Sequence, residues 1–164
     1  YHIPHISTGE VLREARILGT ELGKKAAKYL DAGKLLPDEI ILDIIRDKMN
    51  DLQQGFLFDG FPRTISQAEG LDRMLKERAE SLDAVVSIET PDEVVVERLL
   101  KRAEIEGRAD DNRDTINRRL KVYHMQTEPL KEYYRKRGLL KSVDGVGTVD
   151  GVFSRIISAL GGPA

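Results

Sequence analysis

One stretch of the sequence decides the fold: Gly55-Phe56-Leu57-Phe58-Asp59-Gly60-Phe61-Pro62-Arg63. Its apolar residues lead directly into an acid, which is typical of a buried parallel strand with a carboxylate at its C-terminal end. Open α/β sheets bind ligands at that end of their strands, so Asp59 marks a candidate site. Gly60 then allows close backbone approach, Pro62 stiffens the turn, and Arg63 offers a guanidinium suited to a phosphate. The plain alternative is a strand that ends in an ordinary Asp-Gly turn.

The composition predicts a single globular domain. A chain of 164 residues with 40% hydrophobic content can bury one sizeable core. Its 26 basic and 28 acidic residues leave a net charge of −2, which gives no electrostatic case for nucleic acid. Zero cysteines exclude disulfides and cysteine-ligated metal sites. Because the sequence shows neither a leader nor an apolar run of membrane-spanning length, we expect a soluble, cytoplasmic protein without a membrane partner, and a monomer.

Strands and helices alternate along the chain. Residues 2–7, 55–59, 84–88 and 139–144 have the composition of short strands, and periodic apolar residues predict helices between them. Three short helices follow one another between the first two strands, where a plain crossover would need only one, so this segment is predicted to form a flap. The alternation predicts a three-layer α/β/α fold with a parallel sheet.

Local signals predict where several helices begin or bend. Ser7-x-x-Glu10 and Ser66-x-x-Glu69 have the spacing of a capping box. The third of the three successive helices is predicted to begin at Pro37-Asp38-Glu39, where acidic side chains are favoured by the helix dipole. Thr90 is predicted to cap a helix whose first residue is Pro91, and a kink is expected at Thr127-Glu128-Pro129.

Arginines recur at predicted strand ends and loops. They are Arg13, Arg63, Arg98, Arg102, Arg108 and Arg119. Arg98 and Arg102 lie one helical turn apart, so their head groups can converge on one anion. Transfer of a phosphoryl group between polyphosphates depends on such charge, because catalysis there is mostly positioning and neutralisation. Each arginine alone can equally be a solvated surface residue. Asp59 is a candidate ligand of Mg²⁺ or its waters, whereas the three histidines lack the spacing of metal ligands.

Three motifs together resemble the adenylate kinase family, over essentially the whole chain and in order. They are Ser7-Thr8-Gly9-Glu10-x-Leu12-Arg13, Asp59-Gly60-Phe61-Pro62-Arg63 with Gln67, and Arg108-Ala109-Asp110-Asp111. The resemblance is to members with a short lid, and it implies the P-loop nucleoside monophosphate kinase fold. It also implies reversible phosphoryl transfer from ATP to AMP, which gives two ADP, with Mg²⁺ accompanying ATP.

The resemblance assigns roles to particular residues. It implies a monophosphate-binding flap at residues 7–36 and a short lid at residues 101–111. The implied AMP-binding residues are Thr8, Gly9, Arg13, Lys34, Leu35, Leu36, Gly60, Phe61, Pro62, Arg63, Gln67, Arg108 and Arg119. Arg98 would lie near the adenine of ATP, Arg102 on its phosphates and Gly147 against its base. The implied catalytic residues are Arg63, Arg102, Arg108 and Arg119, and Asp59 would hold Mg²⁺ through water.

The family's phosphate-binding pattern G-x-x-x-x-G-K does not occur in the 164 residues. We therefore expect the natural protein to carry roughly 25 to 30 further residues before Tyr1, about one strand, P-loop and helix. That strand would be central in a five-stranded sheet, between the strand ending at Asp59 and the strand at 84–88. Without it, we expect a slot through the core.

Two alternatives remain open from the sequence. A UMP/CMP-type kinase shares the flap and lid, but such enzymes tend to differ at Thr8 and Gln67, which favours AMP here. A catalytically dead nucleotide-binding fragment is suggested by the missing phosphate-binding pattern alone.

Overall fold

The computed structural model describes residues 2–50, 52, 55–108 and 111–162 of the chain. The strands are β1 (His5–Ser7), β2 (Leu57–Asp59), β3 (Val85–Glu89) and β4 (Leu140–Asp144). The helices are α1 (Thr8–Ile17), α2 (Glu21–Asp31), α3 (Asp38–Asn50), α4 (Ile65–Glu77), α5 (Asp92–Glu106), α6 (Arg113–Val122), α7 (Pro129–Arg135) and α8 (Val149–Ala159). The predicted alternation and the three successive helices between the first two strands are confirmed.

All strand pairing among the described residues is parallel and falls into two pairs. β1 pairs with β2, with His5 opposite Leu57 and Ser7 opposite Asp59. β3 pairs with β4, with Val85 opposite Leu140. The α/β fold with parallel strands is thus confirmed. The two pairs are separate, since β2 is not hydrogen-bonded to β3 among the described residues, and the family resemblance places the central strand between these two strands. The Cα register brings the C-terminal ends of β1 and β2 to one edge, which positions Ser7 beside Asp59.

The larger core lies beneath the flap. It unites apolar side chains of α1, α2, α3 and α4 with residues that flank β2. Its fully or almost fully buried members are Ile6, Leu12, Ala26, Leu36, Ile41, Ile45, Met49, Phe61, Leu71, Met74 and Leu75. Because α1 and α2 approach closely, Gly23 cannot be replaced without collision: a Cβ there would lie 2.0 Å from the carbonyl oxygen of Ala15.

A second, smaller core joins α4 to α7 and to the β3–β4 pair. Ala68, Leu130 and Tyr134 are buried there, with Val85 and Leu140 packed against them. Since α4 contributes Ala68 to this core and Leu71, Met74 and Leu75 to the other, it is the element shared by both. The start of α4 therefore sits at a fixed point between the flap and the β3–β4 pair.

Helix starts agree with prediction at Ser7 and differ at two other places. Ser7 Oγ accepts a hydrogen bond from the backbone N–H of Glu10, as the capping spacing predicts. The prediction of Ser66 as a cap is wrong: Thr64 has the extended backbone of a capping residue, and its Oγ1 accepts from the N–H of Gln67.

The predicted cap at Thr90 is also wrong. Helix α5 begins at Asp92, with Pro91 in the capping position and no side-chain capping bond. The hydroxyl of Thr90 lies instead against Gly145, where a Cβ would come within 2.2 Å of it. The expected kink is present as a π-helical turn at Tyr123–Thr127, after which Pro129 begins α7.

Candidate nucleotide-binding site

The turn after β2 brings three predicted site residues together. Gly60 adopts a φ of +72°, which favours glycine, and its carbonyl oxygen accepts hydrogen bonds from Thr8 Oγ1 at 3.1 Å and from Arg63 Nε at 2.8 Å. A Cβ at Gly60 would lie 2.8 Å from Arg63 Nη2. The turn thus ties the first helix of the flap to the arginine that follows β2.

A crevice opens beside this turn, between the flap and the start of α4. It encloses about 400 Å³ of space outside protein atoms, including its open mouth. Its lining residues are Thr8, Gly9, Leu12, Leu30, Lys34, Leu35, Leu36, Ile41, Gly60, Arg63 and Gln67. Eight of these were assigned to AMP by the family resemblance, and the apolar remainder gives the crevice the mixed lining typical of small-molecule sites.

Gln67 is the most enclosed polar side chain of the crevice. It is 2% exposed, and its amide is held at both ends. Oε1 accepts from the backbone N–H of Arg63 at 2.8 Å, and Nε2 donates to Asp38 Oδ1 at 2.8 Å. Thr64 Oγ1 donates to the other carboxylate oxygen of Asp38 at 3.1 Å. The sequence pattern places Asp38 only at a helix start, since no local pattern shows that its carboxylate reaches α4.

The Arg63 guanidinium lies in a positively charged environment. Partial removal from water is the largest cause that lowers the pKa of Arg63, although its side chain is still accessible from the crevice. Asp59 opposes that shift, whereas the positive charges of Arg119 and Arg13 lower the pKa of Arg63 further. An anion placed among these guanidinium groups would relieve the repulsion, so the arrangement favours a phosphate ligand.

Arg13 lies on the flap side of this cluster. Its Nη1 would be 3.1 Å from a Cβ built at Gly9, so the absence of a side chain at Gly9 leaves room for the guanidinium. The bond from Thr127 Oγ1 to the carbonyl oxygen of Arg63, at 2.8 Å, holds the opposite side of the turn. Thr127 was not identified from the sequence, because only the tertiary fold brings the π-helical turn to residue 63.

Asp111 joins two predicted catalytic arginines. Its side chain is 0% exposed, and it accepts hydrogen bonds from Arg102 Nε at 2.7 Å and from Arg119 Nη1 at 2.6 Å. Burial is the largest single influence and raises the pKa of Asp111, but the hydrogen bonds and charges of Arg102 and Arg119 together outweigh it, so its pKa lies below the ordinary range. This carboxylate therefore fixes both guanidinium groups at the end of α5 and on α6.

Arg108 lies in the predicted lid but has a local partner. Its Nε pairs with Glu106 Oε2 at 2.6 Å, and 21% of its side chain is exposed. The next two residues of the motif, Ala109 and Asp110, lie outside the described residues. The structure thus places Arg108 at the lid and leaves its predicted contact with the transferring group as a prediction.

Arg98 and Arg102 do not converge as their spacing predicts. Arg98 donates to the carbonyl oxygens of Gly145 at 2.9 Å and Gly147 at 3.2 Å, whereas Arg102 binds Asp111. The two head groups separate because each finds an acceptor on a different neighbouring loop. Arg98 and Gly147, both assigned to the adenine of ATP, are nevertheless adjacent.

A second arginine, missed from the sequence, holds the same turn after β4. Arg155 on α8 donates from Nε to the carbonyl oxygen of Asp144 at 2.9 Å and from Nη2 to that of Val146. Together with Arg98 it holds four successive carbonyl groups, those of residues 144–147. No motif marks Arg155, which sequence periodicity places on a plain amphipathic helix.

Two residues of the predicted AMP set differ in environment from the rest. Phe61 is 6% exposed, belongs to the core and packs edge-on against Phe58 with ring centroids 5.5 Å apart. Its side chain is therefore part of the core beneath the site. Pro62, joined to Phe61 by a cis peptide bond, shapes the turn without lining the crevice.

Asp59 carries an exposed carboxylate at the C-terminal end of β2, with Oδ2 at 3.6 Å from His5 Nε2. Among the described residues there is no cluster of three or more His, Asp or Glu side chains that could enclose a metal ion. Mg²⁺ commonly uses one carboxylate, several waters and substrate phosphates, so a single accessible carboxylate beside a phosphate site fits that ion.

Parallel strands, three helices between the first two of them, and a crevice at the strand ends that is lined in part by Arg63 are features of the class of nucleoside monophosphate kinases. The adenylate kinase family model matches residues 1–139. The chain is 51% identical to the adenylate kinase of Thermus thermophilus over 156 residues, which are 95% of this chain and 82% of that protein. It is 47% identical to the adenylate kinase of Phocaeicola vulgatus over 162 residues, 98% of this chain and 86% of that protein.

A third relative, the adenylate kinase of Leptospira biflexa, is 46% identical over 162 residues, 98% of this chain and 87% of that protein. The chain therefore belongs to the adenylate kinase family and is a phosphotransferase. These relatives favour the adenylate kinase interpretation over the UMP/CMP-type alternative. None of the helices that the structure describes is both long and apolar enough to cross a membrane.

Proposed function

We propose that the crevice between the flap and α4 binds AMP, which receives the phosphoryl group of ATP. The observation that carries the proposal is a partly apolar crevice, open at its mouth, with a cluster of arginines beside it. The apolar lining suits the faces of a base, and the Gln67 amide suits its polar edge. The guanidinium groups of Arg13 and Arg63 then suit the monophosphate.

In this proposal, Arg119 and Arg102 act on the transferring phosphoryl group. Their bonds to the buried Asp111 hold them in place before substrate arrives, so little reorganisation is needed in the transition state. Charge spreads over the equatorial phosphoryl oxygens during transfer, and preorganised cations stabilise it. Arg108 is proposed to join them from the lid.

The donor ATP is proposed to lie on the other side, along the loop that follows β4. Arg98 and Arg155 hold the carbonyl groups of residues 144–147 in a fixed turn. Gly147 has a φ of +112° and no side chain, which leaves a flat backbone surface for a base. Bound Mg²⁺ would neutralise phosphate charge, and Asp59 would hold its waters.

An acceptor assay tests the proposal. Purified protein is assayed for ADP formation with ATP, Mg²⁺ and AMP, CMP or UMP as acceptor. We expect kcat/KM for AMP to exceed the values for CMP and UMP by about 10²-fold or more, because a hydrogen-bonding pocket rejects bases whose groups it cannot pair. Comparable values would favour the pyrimidine-type kinase, and AMP binding without turnover would favour a nucleotide-binding protein.

Replacement of Arg119 by alanine tests the role of the arginine cluster. We expect kcat to fall by roughly 10²-fold or more with a smaller change in KM for AMP, because the lost interaction strengthens in the transition state. Arg118→Ala is the matched control, since Arg118 is adjacent in sequence and donates to Thr115 Oγ1. If Arg119→Ala stays within about threefold of the control, Arg119 has no catalytic role.

The finer features of the sequence prediction belong to the same proposal: a monomer, located in the cytoplasm, that binds ATP, AMP and ADP. Sedimentation at several protein concentrations checks the monomer.

A further inference from the structure

Asp38 connects α3, the helix that follows the segment assigned to the flap, to the residue proposed to face the acceptor base. It is the first residue of α3, and its side chain reaches the start of α4, 26 and 29 residues further along the chain. Oδ2 accepts from the Thr64 hydroxyl at 3.1 Å and Oδ1 accepts from Gln67 Nε2 at 2.8 Å. Asp38 does not line the crevice, so it acts on a ligand there indirectly, through Gln67, through the neighbouring backbone or through its charge.

The partners of the Gln67 amide determine which way it faces. The backbone N–H of Arg63 can only donate, and it meets Oε1 at 2.8 Å. A carboxylate can only accept, and it meets Nε2. Rotation of the amide by half a turn would place two donors together and two acceptors together. At a side chain that is 2% exposed, water cannot relieve those contacts.

The amide keeps one N–H and one oxygen lone pair for a ligand in the crevice. Because the orientation is determined, these two groups are offered in a set spatial order. A 6-aminopurine presents a donor at its exocyclic nitrogen beside an acceptor at N1, which can pair with an amide. A 6-oxopurine presents an acceptor at its exocyclic oxygen and a donor at N1. In the same pose its oxygen would face the amide oxygen and its N1–H would face the amide N–H, so neither pair could form a hydrogen bond.

We propose that Asp38 is a positioning residue for base selectivity: by holding Gln67 in one orientation, it makes the crevice accept 6-aminopurine monophosphates and reject 6-oxopurine monophosphates. The inference rests on the proposed function of Gln67 as the residue that faces the acceptor base. The bond to Thr64, which itself caps the N–H of Gln67, holds the carboxylate in the geometry this requires.

Calorimetric titration of the chain with AMP and with inosine monophosphate tests the inference. In Asp38→Ala, we expect the ratio of the two dissociation constants to fall by about tenfold, which corresponds to one lost hydrogen-bond preference. Asp38→Asn keeps an oxygen acceptor for Nε2 and should retain the ratio within about threefold. A role of the negative charge alone predicts instead that the Asn and Ala variants behave alike, which would overturn the inference.

Glu39→Ala is the matched control. Glu39 is exposed and is the next acid in the same first turn of α3, so its removal costs the same charge near the helix N-terminus. In Glu39→Ala, the ratio of the dissociation constants for AMP and inosine monophosphate should equal that of the unmodified chain. Should Asp38→Ala fail to fold, as judged by circular dichroism, Asp38→Leu retains the side-chain volume without an acceptor and carries the same expectation.

Gln67→Ala separates failure of the inference from failure of the proposed function. If Gln67→Ala loses the preference for AMP and neither acceptor-free Asp38 variant does, the inference is wrong and the role of Gln67 stands. If Gln67→Ala keeps the preference, then Gln67 does not select the base, and both the inference and that part of the proposed function are overturned. Loss in both Gln67→Ala and Asp38→Ala, with retention in Asp38→Asn, supports the inference.

Discussion

Gly60 shows how one residue joins backbone conformation to ligand binding. Its φ of +72° is unfavourable for residues with a side chain, and its carbonyl oxygen is the shared acceptor of Thr8 and Arg63. A side chain there would collide with the Arg63 guanidinium, 2.8 Å away. The turn therefore requires glycine, and the absence of a side chain also leaves room for the arginine folded across it.

Replacement of Gly60 by alanine should weaken both the fold and the binding of AMP. We expect a loss of stability of about 1 to 2 kcal/mol from the left-handed backbone, and a rise of roughly tenfold in the dissociation constant for AMP as Arg63 is displaced. Calorimetric titration and urea unfolding measure the two effects.

Gly138→Ala is the control for Gly60→Ala. Gly138 has nearly the same φ, +71°, but among the described residues no atom beyond its chain neighbours lies within 4 Å of a Cβ built there. It should lose similar stability and keep its affinity for AMP. Equal loss of affinity in both variants would show that Arg63 is not displaced by the Cβ.

At the scale of elements, charged side chains hold loops and helix ends in place. Asp111 holds the end of α5 and the middle of α6 through two arginines, and Arg98 with Arg155 holds the turn after β4. Each contact joins elements that are distant in sequence or separated by a loop. The geometry of the nucleotide site consequently depends on polar contacts at the ends of helices, whereas the apolar cores position the helices themselves.

His124 forms another contact of this kind, between the π-helical turn and the start of α5. Its Nε2 lies 2.9 Å from Asp92 Oδ2 and its Nδ1 lies 3.0 Å from Glu128 Oε2. The hydrogen bond with Glu128, followed by that with Asp92, raises the pKa of His124. Lys131 faces the same group, with Nζ at 3.8 Å from Glu128 Oε1.

We predict a stability contribution from His124 that depends on pH. A group whose pKa is raised on folding stabilises the fold fully below its unfolded pKa, about 6.5 for histidine, and loses that effect as pH rises through the folded value. Thermal unfolding of the native chain and of His124→Gln measures this contribution. The two proteins are compared from about pH 5 to about pH 9, a range that brackets the ordinary pKa of histidine. The difference in Tm should be largest at the acidic end, and a difference that grows with pH would contradict the assignment.

At the scale of the whole molecule, two cores meet at α4. The larger one supports the flap and the smaller one supports the β3–β4 pair. Leu57 on β2 and Ile88 on β3 are about half exposed, at 53% and 51%, whereas the larger core buries side chains that come mainly from helices. We therefore infer that burial beneath the flap supplies a large share of the stability of the described chain.

Ile45 tests that inference. It is 0% exposed in the larger core, and Ile45→Ala should reduce the free energy of unfolding by about 2 to 5 kcal/mol, because the lost transfer energy adds to that of a cavity. Ile17→Ala, at a residue that is 84% exposed, should change it by no more than about 0.5 kcal/mol. Urea unfolding measures both. Similar small losses in the two variants would show that the flap core is loosely packed.

The sequence by itself determined the elements and most of the lining of the crevice. Apolar runs, helical periodicity and the Asp59-Gly60-Phe61-Pro62-Arg63 turn depend on interactions between near neighbours, which is why local patterns predict them. Thr8, Gly60, Arg63 and Gln67 were identified because their motifs are local, and the structure brings them to one crevice. The mistaken caps at Ser66 and Thr90 differ by only one or two residues from the observed helix starts.

Only the tertiary structure decided which polar side chains hold the site together. The bond from Gln67 to Asp38 spans 29 residues, and Arg155 reaches the turn after β4 from a different helix. Arg98 and Arg102 share a helix face, yet they separate because their acceptors belong to different loops. Such pairings depend on where the packed helices place their ends, and no spacing within a single element contains that information.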